Sequence, residues 1–318
     1  MKLRKLKVNN KMRDYDAYEP PQPINKLLPP TYNIVLSCSP KGGGKSYNCV
    51  ELLTAYENSG FKNSKGDLIR MRTIWISGGT SQSKQNNILN TLKSLHKDDR
   101  IDIDSNMDEK MKEIYDGLLT ERDEIEAYNE YRVTYKKFLK NKTLLNMTDD
   151  ELRMLEYKNY IDPADDPEVP KDADGHILYA PRMVFLILDD LISTDAYGNK
   201  KNNFLNKLAV KSRHESEHLC GLNLFFIAQS FKSIPPIIRK QCDLFVLLKS
   251  ASRSYIIDAI ADEIGSHFSK SEIEKYYDEV MSIDYGSLIL SIHKKERPET
   301  RVRVGWDRCV IRSPEYLM

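Results

Sequence analysis

With 318 residues, 40% apolar and 30% charged, the chain is long enough for one large α/β domain or two small ones and has the balance of a soluble globular protein. No apolar run approaches the length of a bilayer span, which excludes a helical membrane protein; Met183–Leu188 is far too short. The net charge of +1 excludes a uniformly basic or acidic protein, but the charge is segregated. Residues 1–13 carry six Lys/Arg and no acid, 98–130 carry thirteen acids against four bases, and 294–312 carry seven bases against three acids. Basic ends of this kind suit a nucleic-acid partner, although charge runs are most often solvated faces. The five cysteines form no CxxC pair and the basic N-terminus lacks the apolar segment of a secretion signal. The expectation is a reduced, cytosolic protein without a zinc site.

In chain order, residues 1–30 read as a basic arm followed by a proline-rich, extended lead-in. Residues 31–318 read as a single domain. An apolar run at Asn33–Leu36 predicts a strand, Ser39–Ser46 a glycine-rich loop, and about 45–58 a helix closed by Asn58-Ser59-Gly60. Arg72–Ser77 predicts a second strand, ended by Gly78-Gly79. The polar loop Gly79–Lys84 then lies at a strand's carboxyl end, where ligands collect in open α/β sheets.

From about 98 to 180 the texture changes to an acidic, helical insertion. Met111, Ile114, Tyr115 and Leu118 predict one amphipathic helix, and Ile125–Leu139 a second, rich in tyrosine. Thr148–Glu151 is a capping box, and Asp162–Pro181, rich in proline and aspartate, a loop. Met183–Leu188 is a buried-type strand that runs into Asp189-Asp190. A basic segment with a helical apolar face follows at Asn199–His214, then a buried strand at Leu222–Ala228 that delivers Gln229, and a fifth strand at Asp243–Leu248. From about 250 the chain forms a C-terminal extension, with helices at about 254–264 and 270–281 and strands near 286–292 and 301–311.

Two of these stretches carry chemistry. Strand, glycine-rich loop, lysine, hydroxyl and helix form the layout that binds a nucleoside triphosphate. Here the loop is Ser39-Pro40-Lys41-Gly42-Gly43-Gly44-Lys45-Ser46, with Tyr47 next to it. Backbone N–H groups meet the phosphates, Lys45 the β/γ oxygens, and the Ser46 hydroxyl Mg²⁺. The pattern departs from consensus where Ser39 replaces the opening glycine. The second stretch is the apolar strand ending in Asp189-Asp190. Asp189 would hold the metal and Asp190 would orient an attacking water, although it is one methylene shorter than the more usual Glu.

The set SPKGGGKS, FLILDD, KSRH, LFFIAQS and IPPIIRKQCD resembles the genome-packaging ATPases of nucleocytoplasmic large DNA viruses and virophages, members of the FtsK–HerA superfamily. The resemblance covers about 31–250 without the insertion. It implies a P-loop fold of the additional-strand (RecA/FtsK-like) type, with a mostly parallel central sheet flanked by helices. It further implies a pentameric or hexameric ring, ATP and Mg²⁺ as ligands, and double-stranded DNA in a central channel. A capsid portal or vertex component would be a partner, and the host cytoplasm, virus factory or virion the place of work. By resemblance, Gln229 senses the γ-phosphate and Arg213 is an arginine finger supplied to the neighbouring subunit, with Arg239 as second choice. Lys200 and Lys201, in the loop after Asp190, are candidates for DNA contact. Two other functions fit the motifs: a P-loop nucleotide or small-molecule kinase, and a non-motor NTP-dependent interaction protein with the insertion as its partner surface.

Overall fold

The computed structural model describes residues 19–78, 87–102, 106–141, 144–197 and 203–310. Three short strands, β1 (Gln22–Pro23), β3 (Phe61–Lys62) and β4 (Leu68–Ile69), make a small antiparallel sheet. The remaining strands form the main sheet. They are β2 (Ile34–Cys38), β5 (Met71–Ser77), β6 (Arg100–Asp102), β7 (Met183–Asp189), β8 (Leu222–Ala228), β9 (Leu244–Leu248), β10 (Ser287–Ser291), β11 (Val302–Val304) and β12 (Arg308–Cys309). Their order is β12-β11-β10-β9-β2-β8-β7-β5-β6. From β9 to β6 all neighbours run parallel, and β10, β11 and β12 are added antiparallel. The fold is α/β with a mostly parallel central sheet.

The central strands are apolar at every other residue on both sides because both faces are covered. Leu36, Leu186, Leu224 and Phe245 point into one core, with helices α2 (Met107–Asn141), α4 (Phe204–His218), α6 (Arg253–Ile264) and α7 (Lys270–Met281). Val35, Phe185, Phe225 and Val246 point into the other, against α1 (Lys45–Ser59). A short helix α3 (Asp149–Tyr157) carries the expected capping box: Thr148 accepts from the Glu151 N–H, and Glu151 accepts from the Thr148 N–H. A one-turn helix α5 spans Pro236–Arg239.

One expectation changes. The two helices expected in the insertion are one helix, α2, of 35 residues. Leu118 and Ile125 are both buried, and a seven-residue step keeps them on one face, so the polar stretch between them does not interrupt the helix. Within that stretch Glu121 accepts from Arg72 (2.6 Å) and from Arg182 (3.0 and 2.6 Å), which ties the helix to the starts of β5 and β7. Near the expected start of the insertion, Arg100–Asp102 joins the sheet beside β5, and the first half of α2 lies in the core. Part of the expected N-terminal arm packs against the domain. Pro20, Pro21 and Leu28–Thr31 are buried, and the Tyr56 hydroxyl donates to the Pro29 carbonyl (3.0 Å).

That lead-in is clamped by the C-terminal strands. Arg303, 1% exposed, pairs with Glu296, 3% exposed, at 2.9 Å, and also donates to the Leu27 carbonyl. Removing one partner of a buried pair strands the other charge. Arg303→Met should therefore destabilise the fold by about 3–5 kcal/mol, and the double variant with Glu296→Leu by much less. Chemical denaturation of the two variants checks this.

Candidate nucleotide and metal site

β2, β7, β8 and β9 end at one edge of the sheet, and the site is built there. Ser39 still pairs with the sheet, its N–H donating to the Ala228 carbonyl at 3.2 Å, and the chain then turns into the loop. Gly42 (φ 81°) and Gly44 (φ 87°) lie in the left-handed region, which an L side chain resists. Gly43 is required for another reason. A Cβ there would fall 1.7 Å from the Ser39 Oγ, so the serine that replaces the consensus glycine fills the inside of the loop. Ser39 is buried, whereas Lys41, Gly42, Gly43 and Gly44 are exposed. No acid stands in the first turn of α1, so the N–H groups and positive end of the helix are open to an anion.

Lys45 is buried and donates to the Ser39 (2.6 Å) and Pro40 (3.0 Å) carbonyls. Burial lowers its pKa, and Asp189 and Asp190 oppose that shift. Tyr47 is exposed on the same turn. The Ser46 hydroxyl donates to Asp189 Oδ2 at 3.2 Å, across 143 residues of sequence. Asp189 is buried.

Asp190 has a left-handed backbone (φ 54°, ψ 48°), which turns its carboxylate away from the line of the strand. Its N–H donates to Ile227 O (2.9 Å), and its Oδ2 accepts from Gln229 Nε2 (2.5 Å). Its Oδ1 is buried and without a partner among the described residues. The sheet order explains this meeting, because β8 lies between β2 and β7 and brings Gln229 next to Asp190. Gly78 closes against the same turn: a Cβ there would sit 2.7 Å from the Asp190 carbonyl oxygen.

The donor set fits Mg²⁺, which takes hydroxyl and carboxylate oxygens and keeps the rest of its shell for water and phosphate. Ser46 and Asp189 would hold it, and the buried, unpartnered Asp190 Oδ1 leaves an acceptor for a water beside it.

Other candidates lie elsewhere. Arg239 is committed within the chain, its Nε on Glu263 (3.0 Å), its Nη1 on the Ile234 carbonyl (3.2 Å) and its guanidinium over the Phe231 ring. Arg213 stands in α4, and its side chain is outside the described residues. Lys200, Lys201 and the loop at 79–84 are outside them altogether. Sequence reasoning missed Tyr197, whose buried hydroxyl has no partner among the described residues. Burial raises its pKa first, and Cys38, Asp190 and Asp189 add to the shift. It also missed the state of Cys38, which burial pushes up to about 12 despite its place beside the loop.

No family model matches the sequence, and no curated protein does. Among solved structures, the chain is similar to the genome-packaging NTPase B204 of Sulfolobus turreted icosahedral virus 2. In complex with AMP, that structure shows 14% identity over 86% of this chain and 96% of that chain, with a TM-score of 0.40. In complex with ATP-γS it shows 13% identity with the same coverage and a TM-score of 0.42. EssC (ATPases 2 and 3) of Geobacillus thermodenitrificans shows 14% identity over 73% of this chain and 34% of that chain, with a TM-score of 0.39. At such identities and scores, function has to be argued from the site's own residues.

Proposed function

We propose that the chain is a P-loop ATPase of the additional-strand type, which hydrolyses ATP to move double-stranded DNA through an oligomeric ring and so packages a viral genome. The observation that carries this reading is the contact of Ser46 with Asp189, set beside the contact of Gln229 with Asp190. One contact joins a phosphate loop to an acid that can hold a metal, and the other holds a second acid whose remaining oxygen has no partner among the described residues.

The chemistry follows from that division. Loop N–H groups and Lys45 would hold the β- and γ-phosphates of ATP. Mg²⁺ held by Ser46 and Asp189 would neutralise phosphate charge. Asp190 Oδ1 would accept a hydrogen bond from a water, aim it at the γ-phosphorus and take up its proton as the bond to the β-bridging oxygen breaks. Gln229 fixes the other oxygen of Asp190 and so links the carboxylate's position to the strand beside the phosphate loop. Because Arg239 is already paired with Glu263, Arg213 is the better candidate for a cation supplied to a neighbouring subunit. Lys200 and Lys201 would contact DNA phosphates. The remaining partners on this reading are further copies in a pentamer or hexamer and a portal or vertex component of the capsid, met in the host cytoplasm or virus factory.

The test is ATP turnover with and without linear duplex DNA. Stimulation by DNA supports the motor, whereas phosphate transfer to an added nucleotide would replace it with a kinase. Gly78 adds a sharper prediction. Gly78→Ala should displace the Asp190 turn, with a loss of about 10²-fold in turnover and little change in nucleotide affinity, since displacements near 1 Å can cost that much. Single-turnover rates and nucleotide titration on this variant check it.

A further inference from the structure

The most exposed aromatic side chain among the described residues is Tyr285, with a relative exposure of 101%. A lone exposed tyrosine needs no explanation. The position of this one does.

β10 runs antiparallel to β9, so the start of β10 lies at the edge where β9 and β2 end. Ser287 stands opposite Leu248, and Leu247 stands beside Cys38, the last residue before the phosphate loop. Two strand spacings, roughly 10 Å, therefore separate the turn at Tyr285 from the strand that feeds the loop. The two are also linked directly. Asn48, in the first turn of α1 and two residues after Ser46, donates from Nδ2 to the Ser287 Oγ at 3.0 Å. The Trp306 indole N–H donates to the Asn48 carbonyl at 2.9 Å.

The turn is closed by its own backbone. Tyr285 has a left-handed backbone (φ 56°). A Cβ on Gly286 would meet the Val280 carbonyl oxygen at 2.1 Å, so only glycine lets the turn close onto the end of α7. The Ile283 N–H donates to Val280 O, and the Gly286 N–H to Ile283 O, both at 3.0 Å. The turn thus presents a bare ring at the edge of the sheet that carries the phosphate loop, two strand spacings from the strand that feeds it. Tyr47, 60% exposed on the first turn of α1, is a second ring on this side.

We propose that Tyr285 is the platform on which the base of the bound nucleoside triphosphate stacks. This rests on the reading of Ser39–Ser46 as a triphosphate site. Stacking needs the ring and not the hydroxyl, and every base presents a π-face, so the platform adds affinity with little choice among bases.

The experiment titrates the full chain, with Mg²⁺, against ATP-γS and against inorganic tripolyphosphate, which lacks the base. Tyr285→Ala is expected to weaken ATP-γS binding by about 5- to 100-fold, the range that base–aromatic stacking supplies. It should leave tripolyphosphate binding and the melting temperature unchanged, because the ring is fully exposed. Tyr285→Phe should bind ATP-γS as the natural chain does. Wild-type affinity for ATP-γS in Tyr285→Ala, or an equal loss for tripolyphosphate, would overturn the platform while leaving the triphosphate site standing. Failure of the natural chain to bind either ligand would overturn both readings.

Discussion

Asp190→Asn is expected to bind ATP with near-natural affinity and to lose about 10²–10⁴-fold in turnover, the range that a positioned proton acceptor contributes. Asparagine keeps the size of the side chain and an acceptor for Gln229, but its amide cannot take a proton from water. Lys45→Ala should fail one step earlier. On the proposed reading its ammonium group would be a charged donor to the phosphates, and losing charge-assisted hydrogen bonds of that kind weakens binding by about 10- to 100-fold. Nucleotide affinity and single-turnover hydrolysis, measured on both variants, separate the two roles. Natural turnover in Asp190→Asn would remove that acid from the mechanism, and the buried hydroxyl of Tyr197 would be the next group to test.

Mixing two inactive variants should restore activity. If Arg213 reaches the site of a neighbouring subunit, Arg213→Ala binds ATP normally, assembles, and loses about 10³–10⁵-fold in rate, the range an arginine finger supplies. Asp190→Asn is inactive for a different reason. In a mixed ring, some interfaces pair an intact Asp190 with an intact Arg213, and those interfaces should turn over. The measurement is ATPase activity over a series of mixing ratios, with subunit exchange established independently. Activity equal to the sum of the separate variants, in rings shown to be mixed, would place Arg213 in its own subunit or outside the reaction. Because the guanidinium of Arg239 is held by Glu263, Arg239→Ala should act mainly on stability in the same assay.

Much of this site is legible in the sequence because its parts are local. Glycines at 42 and 44 mark left-handed backbone, and the run from Met183 to Leu188 marks a strand buried on both faces that must deliver Asp189 to an edge. The helices at 253–264 and 270–281 fall within a residue of expectation, since their apolar spacing and the Ser269 cap are local signals. Contacts between distant elements are not local. Nothing in the sequence says that Ser39 fills the space above Gly43, that Gly78 closes on Asp190, or that Arg239 is taken by Glu263. The unbroken α2 was hidden for a related reason. Its polar middle reads as a linker unless Arg72 and Arg182 are known to meet Glu121. The turn at Tyr285 carries a faint signal in Asp284-Tyr285-Gly286, a tyrosine before a glycine in a tight turn, but its neighbour Asn48 is supplied only by the sheet.

The geometry of α2 has a mechanical consequence. Its root is fixed near the Asp190 turn, where the Met107 N–H donates to Asp195 Oδ1 (2.7 Å). A 35-residue helix is about 52 Å long, and the seven-residue strand β7 beneath it about 23 Å, so more than half of the helix extends past the far edge of the sheet. The Glu121 pairs lie close to where it leaves the sheet. Beyond Glu121 the helix is held by the segment that follows it: the Tyr128 and Tyr131 hydroxyls donate to the Pro163 and Ile161 carbonyls, and Lys137 pairs with Glu151 at 2.6 Å. One continuous helix thus connects the turn after Asp190 to the 144–179 segment on the far side of the sheet.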